Sequence, residues 1–244
     1  MLNEDTMQKL HELKLGEMAA AIRNQSQDTS ITKLTFEERF GMLVDLEWSK
    51  KKSKQLQYLT QKANMKFSNA CLESIDYKAE RKLNPEVISK LGNCNFLRDS
   101  LNIIISGVTG VGKTYMACAF GNAACRQRYS VSFQRVPQLL VDISMSKADG
   151  SYRKLMANLK KVKLLILDDW GLNTFDIGQS RDLLELFEAR YQSGSTIFVS
   201  QINSEHWHEL FSDETLADAI LDRIVHNSYK IEIKGDTMRR MKMP

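Results

Sequence analysis

Gly107-Val108-Thr109-Gly110-Val111-Gly112-Lys113-Thr114 decides how this chain folds. The octapeptide fits G-x-x-x-x-G-K-[ST], with a strand-like apolar run at 102–106 before it and a helical pattern at 113–127 after it. Glycines at these places let the backbone turn tightly and offer its N–H groups to phosphate oxygens. The helix that follows adds the partial positive charge of its amino terminus. In such a loop Lys113 reaches the β- and γ-phosphates, and the Thr114 hydroxyl is a ligand for Mg2+.

Outward from the loop, short apolar runs alternate with amphipathic segments. Strands are expected at 131–134, 163–167, 195–200 and 229–233, and helices at 137–146, 152–159, 179–192 and 214–225. That alternation belongs to a parallel sheet covered on both faces, so the fold class is α/β. Leu164-Leu165-Ile166-Leu167-Asp168-Asp169 reads as a buried central strand ending in two carboxylates, at the sheet edge where open α/β sheets bind ligands. Asp168 is the expected Mg2+ ligand. Asp169 is placed to polarise the attacking water, although it is one methylene shorter than the glutamate many such ATPases carry. In additional-strand P-loop ATPases a polar residue after the next strand senses the γ-phosphate, which nominates Gln201 first and Ser200 second. Leu216, Ile220, Ile224 and Val225 form an apolar helix face that leaves Arg223 pointing elsewhere. Arg223 then either complements the helix dipole or enters a neighbouring subunit's nucleotide site as an arginine finger. Arg239 and Arg240 follow the last strand, as a nucleotide contact or as a basic tail.

The whole chain of 244 residues allows one full domain and a smaller module. With 12 Gly and 3 Pro it is neither collagen-like nor wholly disordered. The longest apolar runs fall far short of the roughly 20 residues of a membrane span. The acidic start, Met1-Leu2-Asn3-Glu4-Asp5, does not resemble a signal peptide. Cys71, Cys94, Cys118 and Cys125 lie far apart and read as buried thiols of a reducing cytoplasm. Lys+Arg number 34 against 30 Asp+Glu, and the resulting +4 permits nucleic-acid binding without requiring it.

Residues 1–75 have almost no strand signal and are expected to form a small all-helical module, with the ATPase domain at 76–244. Met7, Leu10, Leu13, Met18 and Ile22 recur at near-helical spacing, and Phe36, Phe40, Leu43, Val44 and Trp48 continue it in a second segment. Thr35 followed by Glu38 resembles a capping box, and the polar stretch 24–32 reads as a loop. Lys50, Lys51, Lys52, Lys54, Lys62 and Lys66 form either a solvated helix face or a strip facing phosphates.

Taken together, these residues resemble an AAA+ ATPase of the DnaC-like helicase-loader clade, and more closely the IstB family of transposition helper ATPases. The carriers are the phosphate loop, the run 164–171 ending in Asp-Asp-Trp-Gly, Ser195–Gln201 with Glu205-His206-Trp207, the run Leu221-Asp-Arg-Ile-Val-His226, and 234–239. The stretch 10–21 resembles that family's opening, so the similarity runs nearly end to end. It implies an AAA+ three-layer domain behind the helical module and an ATP- and Mg2+-dependent ATPase. It further implies homo-oligomers, as rings or short helices, on duplex DNA, with a transposase as partner. Clade members grip DNA through a helix in the second αβ unit, which nominates Lys147, Arg153 and Lys154 beside Lys160, Lys161 and Lys163. Lys50, Lys51, Lys52 and Lys54 are a second candidate surface. A replicative helicase loader, a P-loop kinase and a nucleotide-gated scaffold are the competing readings.

Overall fold

The computed structural model describes residues 4–28, 31, 33–77 and 82–238. The chain forms two compact units, Met1–Tyr58 and Leu59–Pro244. This division falls earlier than the change of sequence texture near residue 75. The reason lies in the segment after Leu59, where the buried Asn122 side chain donates to the carbonyls of Phe67, Ser68 and Ala70 and ties that stretch to the larger unit.

In the smaller unit, α1 (Glu4–Glu12) and α2 (Gly16–Gln27) precede the start of α3 (Phe36–Ala63). The apolar periodicity expected to run from Met7 to Ile22 is broken at Lys14, whose φ of +57° ends α1. The Leu15 N–H then donates back to the Leu10 carbonyl. Helix α2 persists to Gln27, so the polar loop begins later than residue 24. The capping box is present: Glu38 accepts from the Thr35 N–H at 2.8 Å, and Thr35 Oγ1 accepts from the Glu38 N–H at 3.3 Å.

The larger unit contains α4 (Pro85–Gly92), α5 (Asn95–Arg98), β1 (Asn102–Gly107), α6 (Lys113–Arg126), β2 (Val131–Arg135) and α7 (Val136–Ala148). It continues with α8 (Tyr152–Lys161), β3 (Leu164–Trp170), α9 (Ile177–Arg190), β4 (Ser195–Ser200), α10 (Glu214–Val225) and β5 (Ser228–Ile233). The five strands are all parallel in the order β2-β3-β4-β1-β5. Their buried faces explain the unbroken apolar runs read from the sequence. Trp170 packs its ring among Phe175, Phe187, Phe198, Trp207 and Phe211, at centroid distances of 5.0–6.4 Å. The aromatic in Asp-Asp-Trp-Gly is therefore a core anchor directly behind the two acids.

Burial pushes the Cys94, Cys118 and Cys125 thiols up to about 11, while Cys71 is half-buried. Since the thiolate is the nucleophile, a maleimide or iodoacetamide pulse at pH 8 is expected to modify Cys71 alone. All four thiols should react after denaturation. Fast labelling of a second thiol in the native protein would contradict the burial of Cys94, before α5, or of Cys118 and Cys125 on α6.

Candidate nucleotide site

The strand order assembles the site. Because β4 lies between β1 and β3, residues just beyond β4 stand between the phosphate loop after β1 and the acids at the end of β3. Gly107, Gly110 and Gly112 hold φ values of +145°, +91° and +97°, which glycine adopts without a Cβ penalty. A Cβ on Gly107 would run into the Ile233 carbonyl oxygen, and one on Gly110 into the Thr237 side chain. The segment after β5 thus lies against the loop, and the Met238 N–H donates to the Gly110 carbonyl at 3.0 Å.

Lys113 opens α6 and is buried, its Nζ donating to the Gly107 carbonyl at 2.7 Å and the Val108 carbonyl at 3.0 Å. Thr114 Oγ1 donates to Asp168 Oδ1 at 3.0 Å. Thr109 Oγ1 donates to Gln201 Oε1 at 2.7 Å. Loop, acid and strand-end glutamine are therefore joined around one turn. A hydroxyl and a carboxylate side by side are hard oxygen donors of the kind Mg2+ takes, and the ammonium at the loop suits a polyphosphate, so the residues present fit Mg2+ and ATP. Burial, and after it the neighbouring Asp169 carboxylate, push Asp168 above the ordinary aspartate value, against the opposing hydrogen bond from Thr114. Ser200 is committed to local structure: it is buried, donates to the Trp170 carbonyl at 2.8 Å and accepts from the Ile202 N–H at 3.0 Å.

Asp169 sits on a β-bulge. Leu167 pairs with Phe198 and Trp170 with Ser200, so β3 carries one residue more than β4 between these pairs. Asp169 takes up the excess with a φ of +59°, and its carboxylate accepts from Arg135 Nε at 2.9 Å and Nη2 at 2.8 Å. Arg135 ends β2 as the register partner of Asp168. Sequence reasoning missed it, because it lies in no motif; a cation closing the strand next to the acids was the only signal.

The sequence pattern of the family described as IstB-like ATP binding protein matches residues 8–243. The chain belongs to this family. The insertion sequence ATP-binding protein y4pL of Sinorhizobium fredii is 39% identical over 240 residues, covering 98% of each chain. The ATP-binding protein of insertion sequence IS1162 from Pseudomonas fluorescens is 40% identical over 204 residues, covering 84% of this chain and 88% of its own. Among solved structures, DnaI superposes with a TM-score of 0.57 at 23% identity, over 68% of this chain and 92% of that one. That likeness shows the AAA+ P-loop fold.

In this IstB-like chain the remaining sequence candidates lie away from the loop or outside the described residues. Arg223 borders a small cavity with Asn102, Arg190 and Thr196, at the strand edge opposite the phosphate loop. Its guanidinium donates to the Ala219 carbonyl at 2.6 Å and to Glu188 Oε1 at 2.9 Å. It therefore does not meet Lys113 or Asp168 within one chain. Arg239 lies outside the described residues. Lys147 is ion-paired to Asp182 at 2.6 Å, while Arg153 and Lys154 are exposed on α8. On α3, Lys50 pairs with Glu17 at 3.7 Å and Lys51 with Glu47 at 3.4 Å. Lys52 stands 3.2 Å from the centroid of the Trp48 ring, and Lys54 is exposed.

Proposed function

We propose that this protein is a Mg2+-dependent ATPase that assembles into homo-oligomers on duplex DNA and recruits or stimulates a transposase at the target site of transposition. The observation that carries the reading is the Thr114–Asp168 contact beside the Thr109–Gln201 contact, in a chain whose relatives are ATP-binding proteins of insertion sequences. Residues 107–112 offer backbone N–H groups to the phosphates and Lys113 adds a cation. Thr114 and Asp168 hold Mg2+, which when bound neutralises charge on the β- and γ-phosphate oxygens. Gln201 faces the γ-phosphate. Asp169 orients the attacking water once its carboxylate has left Arg135. Arg223 serves a neighbouring subunit's site, which makes hydrolysis depend on assembly. Arg153 and Lys154 on α8, and Lys54 on α3, are the cations this reading places on DNA phosphates; such contacts are sequence-tolerant and salt-dependent.

The test is ATPase rate per subunit against protein concentration, with and without duplex DNA. The rate is expected to rise with both; a rate indifferent to both would sink the mechanism. Mixing Arg223→Ala with Lys113→Ala subunits should restore activity that neither has alone, since each can supply what the other lacks. No recovery at any ratio would remove Arg223 from the neighbouring site.

A further inference from the structure

Lys66 closes the lysine-rich stretch that begins at Lys50, but it does not belong to α3, which stops at Ala63. Segment 65–70 instead runs along one face of α6, on which Thr114, Cys118 and Asn122 follow one another every fourth residue. At the far end of that face Asn122 donates to the carbonyls of Ser68 and Ala70 at 3.0 and 2.7 Å. In the middle the Cys118 thiol faces the N–H groups of Phe67 and Lys66. A Cβ on Gly121 would meet the Met65 sulfur and Ile166 of β3, so the segment passes on the β3 side of the helix. Thr114, in contact with Asp168, stands one turn, about 5.4 Å, beyond Cys118. The flexible four-carbon stem of a lysine spans such a gap.

Lys66 is exposed and, among the described residues, forms no ion pair. Its Nζ stands 5.9 Å from the centroid of the Phe67 ring, which packs at 5.8 Å on Tyr115, the residue after Thr114. The ammonium is close enough to the Asp168 carboxylate to favour its ionised form. A cation beside a Mg2+ site is repelled by the metal unless an anion lies between them. The phosphate chain supplies that anion, and its outermost group is the γ-phosphate. We propose that Lys66 is a second cation of the nucleotide site, which binds the γ-phosphate of ATP from the β3 side of α6 and sets a preference for ATP over ADP. This role rests on the reading of Thr114 and Asp168 as the Mg2+ site. Lys113 reaches both the β- and γ-phosphates and so holds either nucleotide; Lys66 meets only the group that hydrolysis removes. The lysine run is thereby divided, with Lys66 serving nucleotide phosphates and not those of DNA.

The experiment titrates the full chain with β,γ-methylene ATP and, separately, with ADP, each with Mg2+, in competition with a fluorescent ADP. Lys66→Gln is expected to weaken the ATP analogue about tenfold and ADP by less than about twofold. Lys66→Arg, which keeps the charge, should stay within about threefold of wild type. Position 66 is exposed, and an unchanged melting temperature without nucleotide verifies that the fold is intact. A loss shared equally by both nucleotides would overturn the proposal, as would unchanged binding of the ATP analogue by Lys66→Gln. So would a Lys66→Arg chain as weak as Lys66→Gln. A fall in duplex-DNA affinity with the ATP-to-ADP ratio intact would overturn it too, by giving Lys66 to DNA. Wild-type binding indifferent to Mg2+ would fault only the reading of Thr114 and Asp168, and the ATP-to-ADP ratio of Lys66→Gln would still decide Lys66.

Discussion

Replacing Lys113 with alanine is expected to weaken ATP binding by about 100-fold, because a charge-assisted contact to phosphate contributes roughly 1.5–3 kcal/mol and each 1.4 kcal/mol is tenfold. The ammonium is already at the loop, held at 2.7 and 3.0 Å by the Gly107 and Val108 carbonyls. Those two bonds keep the buried cation solvated until phosphate oxygens replace them. The truncated chain keeps its glycines and the helix dipole, so residual binding persists and the fold is retained. Titration with a fluorescent ATP analogue, beside a far-ultraviolet circular dichroism spectrum, checks both statements. An affinity loss below about fivefold would mean that the loop amides alone hold the nucleotide.

Asp169→Asn is expected to lower turnover by about two orders of magnitude, the usual contribution of a positioned general base, while ATP affinity changes little. Asparagine is the informative substitute because it tolerates the left-handed backbone at φ +59° as aspartate does. The bulge therefore survives and only the carboxylate is lost. Arg135→Ala should act with the opposite sign. Arg135 engages the carboxylate that the proposed mechanism gives to the attacking water, and Arg135 is more than half exposed. Such a pair contributes at most about 1 kcal/mol, so the DNA-free rate should rise no more than about fivefold. Steady-state turnover without DNA distinguishes the outcomes: a fall in both variants would make the pair a structural prop, and no change in Asp169→Asn would leave the chain a nucleotide-gated scaffold.

The parts of the fold that were legible in the sequence were those set by periodicity and local chemistry. Strand β4 and helix α10 fall where their apolar patterns end, because Ser195–Ser200 is buried on every residue and Asp213 caps the helix through the Leu216 N–H. The octapeptide turns at its glycines and leads into α6 at Lys113 as its pattern requires, since few sequences combine such glycine turns with a cation at the helix start. Contacts between distant segments left no such trace. Arg135 meets Asp169 only because β2 and β3 are neighbours in register. Met238 reaches Gly110 across more than a hundred residues. Asn122 draws 67–70 onto α6 although that stretch reads as part of the helical module. Lys147 looked like a free cation for the same reason; its partner Asp182 sits on another helix.

The bulge also bears on how this chain can change over evolutionary time. Many ATPases of its class use glutamate where it has Asp169, and a codon for one differs from a codon for the other by a single base. Here the longer acid would have to occupy a left-handed residue, a conformation in which aspartate and asparagine are several-fold enriched, at a strain on the order of 1 kcal/mol. It would also have to give up or remake the grip of Arg135. The apparently trivial substitution is thus a coupled one, because the acid at position 169 is tied to a strand irregularity and to the guanidinium that grips it.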